Sequence, residues 1–191
     1  VIKAALLGLG TVGNGVYKVL KNQREEMEKK IGAVVQVEKI LVRNLKKAAA
    51  KVEDPSILTN DWKAILEDPS IEIVIEVMGG FEPARTYILE ALRAGKHVVT
   101  ANKDLVASNG GELLDCAAEH QCDFLFEAAV AGGIPIIRPL KQCLAGNHIE
   151  EVIGIVNGTT NFILTKMTQE GMEFSEALAL ATELGYAEAD P

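Results

Sequence analysis

The chain has 191 residues, 48% of them hydrophobic and 24% charged, with a formal net charge of -8. That length suits one domain plus part of a second, and the apolar share is enough for a buried core. The acidic balance, with no basic cluster, argues against nucleic acid or an anionic membrane surface as partner; no apolar run reaches the ~20 residues of a membrane span, which leaves small-molecule chemistry.

In chain order, the apolar run from Ile2 reads as a strand that ends in Gly8-Leu9-Gly10-Thr11-Val12-Gly13, a G-x-G-x-x-G spacing. Gly8 lets the chain turn off the strand, Gly10 lets a pyrophosphate approach the backbone, and Gly13 lets the following helix lie close. The N-H groups of that helix start, with Thr11 and Val12 between the glycines, then face phosphate. A single helix is expected over about 12–30, with Val12, Val16, Val19, Leu20, Met27 and Ile31 on one face, and a second strand over 34–42. After that strand stands Arg43, where a carboxylate would select NAD; a guanidinium suits a 2'-phosphate, so the expected cofactor is NADP, with NAD also accommodated. Lys46 and Lys47 are read as solvated.

Asn60-Asp61 starts a short helix, and Ile71 to Val77 is a central strand that ends in Met78-Gly79-Gly80. Pro83 opens the next helix and Gly95 closes it. His97 to Thr100 is a strand that leads into Ala101-Asn102-Lys103, a helix is expected over 111–121, and the strand 123–126 closes at Glu127. Strands alternating with helices indicate an α/β doubly wound parallel sheet, a Rossmann-type NAD(P)-binding domain over 1–130, with ligands outside the carboxyl ends of the strands. From 131 the expectation is the start of an α+β domain for substrate and dimerisation. It comprises a helical stretch to Leu144, a strand over 149–156, a polar turn over 157–161, a helix from Phe162, and a last helix capped by Ser175 and ended by Gly185. Cys116, Cys122 and Cys143 form no C-x-x-C pair and His97, His120 and His148 have no metal-ligand spacing; with no signal-peptide pattern, reduced thiols in the cytoplasm are expected.

Five stretches together resemble homoserine dehydrogenase: GLGTVG at 8–13, TANK at 100–103, EAAVAGGIPII at 127–137, GIVNGTTNFIL at 154–164 and the tail GYAEADP at 185–191. The first is shared by many dehydrogenases, whereas the later stretches in this order are specific. The resemblance implies NAD(P)H-dependent interconversion of L-aspartate 4-semialdehyde and L-homoserine on the route to threonine and methionine, by a homodimer. It places Lys103 at the nicotinamide and substrate, Glu188 on the substrate, Gly185 at the cofactor, and a sodium ion at Glu127, Val130, Gly132 and Ile134. The family's catalytic aspartate and proton-donating lysine lie downstream of the YAEADP stretch, so this chain is expected to be an N-terminal portion that binds cofactor and is catalytically incomplete. Two alternatives stand beside this reading. One is an NADP-binding module without activity. The other is an enzyme such as aspartate-semialdehyde dehydrogenase, whose signature would be a nucleophilic cysteine at a helix N-terminus.

Overall fold

A computed structural model describes residues 1–155 and 157–186, and these separate into two compact units that divide after Val130. In the first unit six strands form one parallel sheet: β1 (Ile2–Leu7), β2 (Val35–Leu41), β3 (Leu58–Thr59), β4 (Ile71–Glu76), β5 (His97–Thr100) and β6 (Phe124–Leu125). Their order is β3-β2-β1-β4-β5-β6, so the chain winds outward in both directions from β1 and leaves a topological switch point between β1 and β4. The expected Rossmann-type architecture is therefore what the residues build.

The strands fold as they do because both faces of the sheet are covered. Ala5, Leu7, Val74 and Val98 point to one face, where they meet Ile65, Ile88, Leu92, Leu105 and Leu113. Leu6 and Ile40 point to the other, against Leu9, Ala48 and the partly buried Val16 and Tyr17. Leu6, Leu7, Ile40, Val74 and Val98 are all 0% exposed, and burying a side chain of that size contributes about 1.5–3 kcal/mol each. The covering helices are α1 (Thr11–Asn22), α2 (Arg24–Ile31), α3 (Leu45–Ala49), α4 (Lys63–Leu66), α5 (Ala84–Arg93) and α6 (Lys103–Glu119).

Several boundaries depart from expectation. The single helix over 12–30 is two, broken at Gln23, because Arg24 to Ile31 is a charged run with no buried residue to keep it in line with α1. Helix α6 starts at Lys103 rather than 111: the Asn102 side chain accepts from Leu105 N-H at 3.3 Å as N-cap, and Leu105, Leu113, Cys116 and Ala117 bury one continuous face. That burial carries Gly110-Gly111 through the helix interior despite a cost of about 1 kcal/mol per glycine. Strand β6 is also shorter than the expected 123–126.

In the second unit, α7 (Gly158–Glu170) and α8 (Phe174–Glu183) pack on each other through Ile163, Ala177 and Ala181. Asn157 caps α7 by accepting from Thr160 N-H at 2.8 Å, so the helix starts before Phe162 and the expected polar turn is largely its first turn. Helix α8 starts at Phe174 with Glu173 at the cap position, which puts Ser175 inside the first turn and not at the cap. The expected helical stretch to Leu144 is one wide turn, Pro139–Cys143. Residues 149–155 form no strand, and Ile153 and Ile155 are 85% and 73% exposed. β-Branched residues supply a strand's propensity but not the neighbour that its hydrogen bonds require.

Candidate functional site

Leu41, Leu7, Glu76 and Thr100 pair across β2, β1, β4 and β5 and form one row at the carboxyl edge of the sheet. The loops that leave these four strands project beyond that edge: Arg43 after β2, Gly8 to Gly13 after β1, Met78 to Gly80 after β4, and Asn102-Lys103 after β5. Arg43 and Lys103 thus come after strands three spacings apart, roughly 14 Å of sheet, with the glycine turn between them.

The three glycines of the turn differ in what their missing side chain avoids. Gly8 has φ +100°, and a Cβ there would sit 3.1 Å from the Val77 carbonyl oxygen; at Gly13 it would sit 2.1 Å from the Gly8 carbonyl oxygen. Both are demanded by the protein's own packing. Gly10 is different: a Cβ there would face open space beyond its chain neighbours, so the protein's own packing does not require a glycine at this position. Gly10 is also the N-cap of α1 and offers no side chain to the helix, whose first turn carries no acidic residue. The Asn14 N-H bonds back to the Gly10 carbonyl at 3.0 Å, so the N-H groups of Thr11, Val12 and Gly13 are the helix's orphan donors at its positive end.

A cleft of about 570 Å³ opens in front of this turn, lined by Gly8 to Gly10, Arg43, Asn44, Lys47, Lys51, Gly79, Pro83 and Tyr87 among others. Lys47, read from sequence as solvated, lines it. Lys51 is a residue that sequence reasoning misses: its Nζ donates to the Leu9 carbonyl at 2.8 Å and ties a cation to the glycine turn. The pattern KKAAAK around it resembles any solvated helix face, and only the turn that ends α3, where Lys51 N-H bonds to the Ala48 carbonyl at 2.9 Å, brings its ammonium to Leu9. Tyr87 stacks on Trp62, ring centroids 4.5 Å apart, and the Trp62 indole N-H donates to Glu90 at 2.6 Å.

Lys103 is exposed at the first position of α6, directly after the cap Asn102. An ammonium at this position opposes the positive end of the helix dipole. Glu127 lies in a single turn with Ala129, its carbonyl accepting from Val130 N-H at 3.1 Å. Beyond Val130, Ala131 and Gly132 have φ +56° and +61°, and Ile134 is 65% exposed. Gly185, at φ +78°, stops α8 in the second unit. Glu188 lies outside the described residues.

The cysteines do not form a nucleophilic site. Cys116 is buried well inside α6 and bonds near His120, Cys122 has its thiol pushed up by burial, and all three are free of disulfides. His97 accepts from Asp123 N-H at 2.9 Å and His120 pairs with the Cys116 carbonyl at 2.9 Å, both local structural roles. Among the described residues no three His, Cys, Asp or Glu side chains gather to hold a metal, and no helix is long and apolar enough to cross a membrane.

The comparisons with known proteins point the same way as the glycine turn. Residues 8–127 match the family model described as homoserine dehydrogenase, NAD binding domain, and 135–191 match the one described as homoserine dehydrogenase. The homoserine dehydrogenase of Bacillus subtilis is 48% identical over 190 residues, which are 100% of this chain and 44% of that protein. A crystal structure of a homoserine dehydrogenase from Thiobacillus denitrificans superposes with a TM-score of 0.90 at 48% identity, covering 100% of this chain and 44% of that one. A hyperthermophilic archaeal homoserine dehydrogenase in complex with NADPH gives 0.81 at 28% identity, covering 100% of this chain and 63% of that one. The chain thus spans under half the length of the bacterial relatives. With matched models covering nearly all of its residues, it belongs to the homoserine dehydrogenase family.

Proposed function

We propose that this chain holds NADP(H) across the carboxyl edge of its sheet and serves the interconversion of L-aspartate 4-semialdehyde and L-homoserine. The observation that carries the reading is the cleft lined by the glycine turn: it opens beside Gly8 to Gly10, directly before an uncapped helix start, and is flanked by Arg43 and Lys51. Backbone donors, a helix dipole and cations are the chemistry that a pyrophosphate requires. The naming of NADPH in an archaeal relative supports the same cofactor.

Each residue then has a task. Gly10 admits the pyrophosphate, and Thr11, Val12 and Gly13 donate backbone N-H groups to it. Arg43, on the β2 side, pairs with the 2'-phosphate and favours NADP over NAD. Lys103, on the β5 side, holds the negative charge that develops on the substrate oxygen or the substrate carboxylate. When bound, the nicotinamide supplies a hydride to the semialdehyde carbonyl carbon. Glu188 is assigned to the substrate amino group, and Gly185 to cofactor binding. Glu127 and the backbone carbonyls of Val130, Gly132 and Ile134 are assigned to a sodium ion, a hard cation that takes oxygen ligands. The assembly is a homodimer in the cytoplasm, a compartment that fits three free thiols.

The test is homoserine-dependent reduction of NADP+ by a protein extended to the length of its relatives, with and without Lys103→Ala. The expected result is turnover that the substitution lowers by at least about a hundredfold, while the Kd for NADPH changes by less than about threefold. An unchanged kcat rules out the role of Lys103, and no turnover by the unsubstituted protein rules out the reaction.

A further inference from the structure

Glu76, the last residue of β4, is 0% exposed although it carries a carboxyl group. A buried charge is costly unless hydrogen bonds replace water, and here they do. Oε1 accepts from the N-H groups of Met78 at 2.7 Å and Gly79 at 3.3 Å, and Oε2 accepts from the Thr100 hydroxyl at 2.7 Å. The bonds run on: Thr100 Oγ1 accepts from Asn102 N-H at 3.0 Å, and Asn102 Nδ2 donates to the Gly80 carbonyl at 2.6 Å. The result is a closed ring from Glu76 through the loop 78–80 to Asn102, Thr100 and back.

The ring ties together the two loops that lie on the far side of β1 from Arg43. Gly79 and Gly80 have φ +73° and +75°, two successive left-handed residues that leave their N-H and carbonyl groups to be fixed by partners outside the loop. Gly79 lines the cleft, and Asn102 caps the helix whose first residue is Lys103. With the adenosine half on the β2 side, these loops fall to the nicotinamide half. A carboxylate suits the junction better than an amide: it accepts from all three donors, whereas a glutamine with its oxygen on the two N-H groups would donate to the Thr100 hydroxyl and leave the hydroxyl's own proton without this acceptor.

We propose that Glu76 is a positioning residue for the nicotinamide half of the cofactor: acting through Thr100 and Asn102, it fixes the loop 78–80 and the start of α6 in the form that receives the nicotinamide. This rests on the dinucleotide reading above. The experiment compares two ligands by calorimetric titration of this chain: NADPH, and adenosine 2',5'-bisphosphate, which keeps the adenosine half and lacks the nicotinamide. Glu76→Gln and Thr100→Val are each expected to weaken NADPH about tenfold and adenosine 2',5'-bisphosphate by less than about twofold, while Thr100→Ser, which keeps the hydroxyl, binds both as the unsubstituted chain does. Thr100→Val preserves shape and carries the test by itself if Glu76→Gln does not fold. Equal weakening of both ligands, or none for NADPH, overturns the positioning role alone. Failure of the unsubstituted chain to bind either ligand overturns the dinucleotide reading and this proposal with it.

Discussion

Gly10 and Gly13 belong to one turn, yet alanine at each is expected to fail in a different way. At Gly13 the new methyl would lie 2.1 Å from the Gly8 carbonyl oxygen, a backbone atom, so α1 must retreat from β1 by about 1.3 Å to reach ordinary contact. Overpacking of that kind costs about 1–3 kcal/mol, offset by up to about 1 kcal/mol from the better helix propensity of alanine. The net loss of about 1–2 kcal/mol corresponds to a fall in Tm of about 3–10 °C for a unit of this size. At Gly10, φ is -75° and a methyl faces open space beyond the chain neighbours, so the fold loses at most about 1 kcal/mol from a poorer N-cap. The methyl instead occupies the place assigned to the pyrophosphate, and NADPH affinity is expected to fall about a hundredfold, near 2.7 kcal/mol. Thermal unfolding and a nucleotide titration on the two variants make the test. Gly10→Ala that binds NADPH like the unsubstituted chain, or Gly13→Ala that is equally stable, refutes the reasoning.

Arg43→Ala is expected to weaken NADPH at least tenfold and NADH by less than about threefold, the difference being the lost pairing with the 2'-phosphate; equal losses would remove Arg43 from that role. Lys96 is buried, which pushes its ammonium down, and its Nζ donates to the carbonyls of Asp68 at 2.6 Å and Ile71 at 2.9 Å. Lys96→Met therefore leaves two acceptors without their donor, at about 1–3 kcal/mol each, read in urea unfolding with nucleotide binding by the folded fraction unchanged. Asp68 and Glu112 are held below the usual carboxylate range, the first by the Ser70 hydroxyl and the second by the Arg85 guanidinium, which bonds it through two nitrogens. A depressed folded value means stability that is present above the unfolded value and lost as pH falls through the folded one. Stability is thus expected to be level above about pH 5 and to fall below about pH 4. Urea unfolding of Glu112→Gln across that range should show a shallower acid slope.

The sheet was legible because its strands are short apolar or β-branched runs ended by glycine or polar turns, and the run IKAALLGLG needs no tertiary context to be read. The start of α6 was not, since Gly110-Gly111 looks like a break until Leu105 and Leu113 are seen buried on the same core. Residues 149–155 show the opposite failure, an Ile- and Val-rich run that finds no strand partner among the described residues. In the site, Gly8, Gly10, Gly13 and Arg43 were visible as a spacing. Glu76 was hidden inside IEIVIEV as one more alternating residue, and only its pairing with Thr100 across β4 and β5 shows that the carboxyl faces inward. Lys51 carried no sequence signal, because its contact with Leu9 spans 42 residues.

The central claim is that the glycine turn and its cleft receive a nicotinamide dinucleotide. A fluorescence titration of the chain with NADPH tests it most directly, read through Trp62, which is the only tryptophan and stacks on the cleft residue Tyr87. The account predicts saturable quenching of Trp62 by one NADPH per chain, reversed by adenosine 2',5'-bisphosphate. A chain with a folded circular dichroism spectrum and no response to NADPH up to millimolar concentration would contradict it.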